Sequence, residues 1–178
     1  LIRTKTSDII NNFLTKRPHI RPALLSVTGN TTMLHLFCGV SPEGIGVYPF
    51  TPAFTEQKDY NGEELGLPVE HITVLPSAAA YIGSDITSGV YVCGMTELDG
   101  PAVLMDIGTN GEMVLFTGKK HGSRLIAAST AAGPALEGAN ISCGVGGIEG
   151  AVSHVTANGT GLPRLTYKTI ADKSPVGI

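Results

Sequence analysis

Charged side chains are scarce in this chain: they make up 15% of its 178 residues, against 42% hydrophobic. That balance excludes a charge-solvated disordered segment and predicts a soluble, globular protein with much buried surface. A net charge of −3 leaves no basic footprint for nucleic acid or anionic lipid. No apolar run approaches the length of a membrane span. The three cysteines, Cys38, Cys93 and Cys143, are far apart and match neither a zinc spacing nor a ferredoxin-cluster run. Buried free thiols in a reduced compartment are the expectation. Position 1 holds Leu1 rather than Met, and no signal peptide precedes the first helix. Leu1 therefore reads as a fragment boundary, and a cytoplasmic origin is expected.

Several catalytic signatures are also missing. There is no P-loop pattern, and the glycines at 144–147 fail the dinucleotide fingerprint because Glu149 stands where its last glycine is required. His19, His71, His121 and His154 show no metal spacing with one another, and no Ser-His-Asp or Cys-His arrangement is evident. His35 lies among Leu34, Leu36 and Phe37 and reads as a packed, hydrogen-bonded histidine.

The pattern that is present alternates strands with helices. Thr6, Ser7 or Asp8 caps a first helix carrying Ile9, Ile10, Phe13 and Leu14, and Pro18 and Pro22 mark its exit. A buried strand over 23–27 ends at Gly29, and Asn30 or Thr31 caps the next helix. A long connection over 39–68 follows, broken by Pro42, Pro49 and Pro52. After a strand at 71–75, Pro76-Ser77 opens a helix through Ala78, Ala79, Ala80, Tyr81 and Ile82 toward Cys93. Gly83 and Gly89 mark either a break in it or close packing. Strands over 103–106, 113–116 and 125–128 read as an antiparallel meander. Pro134 then begins a helix with Ala135, Leu136 and Ala139, and a further strand is expected over 164–170.

The segment Asp106-Ile107-Gly108-Thr109-Asn110-Gly111-Glu112 carries the most chemistry. A carboxylate at the end of a buried strand, followed by a small-residue turn, suits a metal-bound phosphate. Glycine lets backbone N–H groups approach an anion, and Mg²⁺ at phosphates needs only one or two carboxylates, a role open to Asp106. Asn-Gly between apolar runs is equally the signal of a plain hairpin turn. From the residues alone both readings stand.

With these segments in hand, the chain resembles the actin, hexokinase and heat-shock-chaperone ATPase superfamily. Within it, the chain resembles the reductive activators of corrinoid proteins. The carrying segments are SVTGNTTMLHLFCGVSP at 26–42, DIGTNGE at 106–112 and AASTAAGPALEGANISCG at 127–144. The resemblance implies an α/β, actin-like (ribonuclease H-like) ATPase fold. Residues 1–98 would be the end of a first lobe plus a connecting helix at 76–81. Residues 99–178 would be the start of a second lobe with a phosphate-binding hairpin.

It further implies ATP and Mg²⁺ as cofactors. Asp106 would hold the metal, with Gly108, Thr109, Asn110 and Gly111 at the phosphates. Glu112 would orient a water or interact with the metal, and Gly133 and Pro134 would present a helix start to phosphate. Glu137 and the Asn30-Thr31-Thr32 run have readier explanations as a solvated face and a cap.

The implied activity is ATP-dependent return of Co(II) corrinoid proteins to Co(I). Electrons would come from a [2Fe-2S] domain present only in the parent protein. The implied partner is a corrinoid protein or corrinoid-dependent methyltransferase, and a homodimer is compatible. The alternative is a partner-docking module with a vestigial nucleotide site that uses the 39–68 connection. The four-cysteine cluster domain, an earlier phosphate motif and a later glycine-rich adenosine segment of the family are not in this sequence. The chain thus reads as the middle of a larger protein, expected not to complete an ATPase cycle alone.

Overall fold

The computed structural model describes residues 1–108, 110–131, 143–159 and 164–177. They divide into two compact units, Leu1–Met105 with Glu112–Ser129, and Asp106–Gly111 with Thr130–Ile178.

In the first unit, helix α1 (Ile2–Thr15) starts several residues before the expected cap. The Thr6 hydroxyl donates to the Ile2 carbonyl at 3.1 Å, so a residue expected to cap instead bonds back within the helix. Strand β1 (Leu24–Val27) and helix α2 (Thr31–Cys38) fall where the pattern put them. Asn30 caps α2 by accepting the Met33 N–H at 2.9 Å, and Gly39, at φ 75°, closes it in the left-handed conformation that glycine adopts without strain.

The 39–68 connection is more structured than its prolines suggest, holding a short helix α3 (Glu43–Gly46), strand β2 (Lys58–Asn61) and helix α4 (Gly62–Leu65). Strand β3 (His71–Val74) takes the centre of the sheet, parallel to β1 and antiparallel to β2. With neighbours on both sides, Ile72 and Val74 are fully buried at 0% exposure. They form a core with Leu34, Phe37, Phe54, Leu65 and Leu67.

The helix expected from Pro76-Ser77 is not formed there. Residues 78–82 make a tight reversal in which the Ala78 and Ala79 N–H groups both donate to the Ile82 carbonyl, at 2.9 and 3.2 Å. Helix α5 (Ser84–Val92) begins only afterwards. Tertiary contacts override the alanine-rich propensity. A Cβ on Gly83 would lie 2.5 Å from the Asn30 Cα, so the chain is pressed against the β1–α2 loop. There the Ser84 hydroxyl accepts the Gly29 N–H at 3.1 Å. Gly89 marks close packing of a different kind: a Cβ there would sit 3.2 Å from the Leu104 side chain.

Strands β4 (Ala102–Ile107), β5 (Gly111–Phe116) and β6 (Leu125–Thr130) hydrogen-bond in that order. Their connections are too short for a parallel crossover, so they form the expected antiparallel meander. One face packs on α5 through Val114 and Phe116, the latter 1% exposed, against Ile82, Ile86, Val90 and Met95.

The second unit contains an antiparallel pair, β7 (Val152–Asn158) and β8 (Arg164–Thr169), with Val155 opposite Tyr167. β8 matches the strand expected at 164–170. The helix expected around Pro134, Ala135, Leu136 and Ala139 lies outside the described residues. No helix among the described residues is long and apolar enough to cross a membrane. The cysteines are free, but only Cys38 is partly buried. Cys93, which caps the C-terminus of α5, and Cys143 are exposed, which corrects the expectation of buried thiols.

Candidate functional site

Asp106 is the penultimate residue of β4 and its carboxylate is exposed to solvent. Two residues on, the Gly108 N–H donates to the Asn110 carbonyl at 2.8 Å, closing the chain reversal. Gly108 is not in the left-handed region, and among the described residues a Cβ built on it would meet the Asn110 oxygen, at 3.8 Å, an ordinary contact. Neither its φ nor packing among the described residues demands glycine there. Asn110 is exposed, and Gly111 is buried where β5 begins. Thr109, Gly133, Pro134 and Glu137 lie outside the described residues.

Glu112 on β5 is half-buried, and its Oε1 accepts a hydrogen bond from the Ser129 hydroxyl of β6 at 3.2 Å. Sequence reading missed Ser129. It lies inside the quoted 127–144 segment, yet only the pairing of β5 with β6 brings it to Glu112. Among the described residues no group of three or more His, Cys, Asp or Glu side chains gathers to hold a metal. Asp106 is thus a single exposed carboxylate beside the reversal, and a hard divalent cation there would need its other ligands from water or a bound anion.

Two other segments singled out in the sequence have structural explanations. Asn30 is a helix cap, and Thr31 is 2% exposed with its hydroxyl donating to the Ala79 carbonyl at 2.8 Å. His35 is a core residue, as expected. Its Nδ1 meets the Thr31 carbonyl at 2.8 Å, so the proton is assigned there and Nε2 is left as an acceptor. Nε2 accepts the Ala53 N–H at 3.1 Å and the Phe54 N–H at 3.4 Å, while the ring stacks on Phe54 at 4.3 Å between centroids. With both nitrogens engaged, His35 ties α2 to the segment before β2.

The described residues mix helices and sheets, with the 106–112 hairpin opening the 102–130 meander, and the family models place that stretch in an ASKHA domain. The model of the C-terminal domain of RACo, the ASKHA domain, matches residues 100–178, and the model of the RACo middle region matches residues 2–98. The chain belongs to the RACo family, the reductive activators of corrinoid proteins, as its three motif segments suggested.

It is 32% identical over 152 residues to the corrinoid activation enzyme RamQ of Eubacterium limosum, covering 84% of this chain and 24% of that protein. It is 35% identical over 113 residues to the [Co(II) methylated amine-specific corrinoid protein] reductase of Methanosarcina barkeri, covering 64% of this chain and 19% of that protein. A solved reductive activator for a corrinoid, iron-sulfur protein superposes with a TM-score of 0.72 at 34% identity, over 99% of this chain and 28% of its own length. The chain thus spans about a quarter of the length of the proteins it matches.

Proposed function

We propose that this chain is the nucleotide-responsive middle part of a protein that reactivates corrinoid proteins, using ATP to support reduction of their cobalt from Co(II) to Co(I). One electron enters the cobalt, and a [2Fe-2S] cluster in a domain outside this chain is oxidised by one electron. The observation that carries the reading is the 106–112 hairpin, with an exposed Asp106 carboxylate and a glycine at 108 whose Cβ position meets no described residue closer than 3.8 Å. Asp106 would hold Mg²⁺ directly or through water. Gly108, Thr109, Asn110 and Gly111 would hydrogen-bond the terminal phosphates, with Gly133 and Pro134 at a further phosphate contact. Glu112 would orient a water. Magnesium there supplies charge neutralisation for the phosphates.

The division we propose falls at residue 99, with the hairpin heading the part that follows. The two family models, which change over at that point, support it. Nucleotide acts on a distant corrinoid only if it binds two protein conformations with different affinity, and lobe motion is the device proposed here. The partner is a corrinoid protein or its methyltransferase, met in the cytoplasm. Homodimer formation is compatible with this scheme.

The test is Asp106→Ala in the full-length protein. ATP-dependent activation should be lost while cluster reduction stays intact. Activation at the wild-type rate would sink the reading.

A second reading, a docking module with a vestigial nucleotide site, draws on one observation. Tyr48, Phe50 and Tyr81 form an exposed aromatic group, with ring centroids 5.9 Å apart for Tyr48–Phe50 and 5.8 Å for Phe50–Tyr81. Calorimetry with Mg-ATP on the full-length protein separates the two: heat of binding abolished by Asp106→Ala supports the first reading, and no heat supports the second.

A further inference from the structure

We propose that Ser129 is a positioning residue of the nucleotide site, holding the Glu112 carboxylate in the orientation that receives the attacking water. The proposal rests on the nucleotide reading of the 106–112 hairpin. Ser129 Oγ donates to Glu112 Oε1 at 3.2 Å across neighbouring strands. Ser129 is the only half-buried residue of β6, whose other five residues are exposed. Glu112 is likewise half-buried, on a strand whose following residues Val114 and Phe116 are locked in the core. The backbone under Glu112 is therefore anchored through β5, and what remains free is the glutamate's own rotation.

A glutamate has three side-chain torsions and, unrestrained, spreads over several rotamers. A carboxylate accepts hydrogen bonds at both oxygens. Ser129 engages Oε1, and Oε2 is the oxygen that, on this proposal, accepts from the water. In the step served, the water oxygen bonds to the γ-phosphorus and the bond from that phosphorus to the β–γ bridging oxygen breaks. Its electron pair leaves with ADP, and the water's proton passes to solvent. Ser129 touches none of the reacting atoms, and it acts through Glu112 alone. Its role is not legible in the sequence, because a serine near the end of a strand carries no signal of its partner.

A purely structural cross-strand bond would lower stability and leave turnover of the folded protein unchanged. The positioning role predicts a different split. In the full-length protein, Ser129→Ala should lower kcat for ATP hydrolysis about tenfold and leave KM for ATP within about twofold. Ser129→Thr, which keeps the hydroxyl, should restore most of the loss. In a Glu112→Gln background, Ser129→Ala should add little, because the two act as one unit.

Wild-type kcat in Ser129→Ala, a loss in Ser129→Thr equal to that in Ser129→Ala, or fully additive losses in the double variant would each overturn the proposal. So would absence of any ATP hydrolysis by the full-length protein. Asp106→Ala measured alongside distinguishes the two levels of failure. If it abolishes hydrolysis while Ser129→Ala matches wild type, the nucleotide reading survives and only the positioning role falls. If Asp106→Ala also matches wild type, both fall.

Discussion

The Thr31 hydroxyl donates to the Ala79 carbonyl at 2.8 Å, joining the first turn of α2 to the chain reversal before α5 across 48 positions of sequence. At 2% exposure, Thr31 makes this bond without help from bulk water. The neighbouring Ser84–Gly29 contacts hold the same junction, with Ser84 N–H donating to the Gly29 carbonyl at 2.9 Å.

Thr31→Val keeps the branched shape and removes the donor. The Ala79 carbonyl would lose a buried partner, which costs about 1–3 kcal/mol. Urea denaturation should show a lower midpoint with an unchanged slope, and Thr31→Ser should recover most of the loss. A midpoint for Thr31→Val equal to that of the wild type would mean that this bond does not hold the junction.

That same junction marks where the sequence is readable and where it stops. Helix α2 was legible because its signals are local: Asn30 caps it and Gly39 ends it, each within one turn. The meander was legible because alternation and short turns are local too. Residues 77–82 misled because an alanine run favours helix on its own, whereas Thr31 and the Gly29–Asn30 loop, distant in sequence, fix it as a reversal. β2 is short and polar, and only pairing with β3 makes it a strand. Its successor α4 carried a readable sign: Asn61 accepts from the Glu64 N–H at 3.0 Å and donates to Glu64 Oε1 at 2.8 Å, close to a capping box. Of the candidate site, the Asp106 hairpin was visible as a motif, while the Glu112–Ser129 bond depends on strand pairing that no spacing announces.

Cys38 and Tyr60 titrate against each other in the first unit. Burial raises the Cys38 thiol above its usual range, an effect only partly offset by a hydrogen bond from Tyr60 and by Lys58 and Arg3. Tyr60 is pushed from 10.0 up to about 12, first by burial and then by its hydrogen bond to Cys38. Both groups hold their protons more tightly folded than unfolded. Their contribution to stability is therefore complete below the unfolded values and is lost as pH rises through the folded ones. For Tyr60 that window runs from 10.0 to about 12. Ultraviolet titration should show one tyrosine ionising after the others, and Tyr60→Phe should remove that late step. At neutral pH, thiol-labelling reagents should modify exposed Cys93 and Cys143 well before Cys38. Labelling of Cys38 at the rate of the other two would contradict the assigned shift.

Gly108 offers a test that separates folding from the proposed nucleotide binding. Among the described residues a Cβ there meets the Asn110 oxygen, at 3.8 Å, an ordinary contact, and the backbone is outside the left-handed region. Gly108→Ala should therefore leave the denaturation midpoint of the full-length protein unchanged or slightly raised, since alanine also restricts the unfolded chain. On the proposed nucleotide reading, the added methyl would instead stand where phosphate oxygens approach the backbone. A loss of about tenfold in Mg-ATP affinity, roughly 1.4 kcal/mol, is expected by calorimetry. Lost affinity at constant stability would mean that this glycine is present for a ligand and not for the turn. Unchanged affinity with unchanged stability would remove Gly108 from the nucleotide site and leave the hairpin as an ordinary reversal at that position.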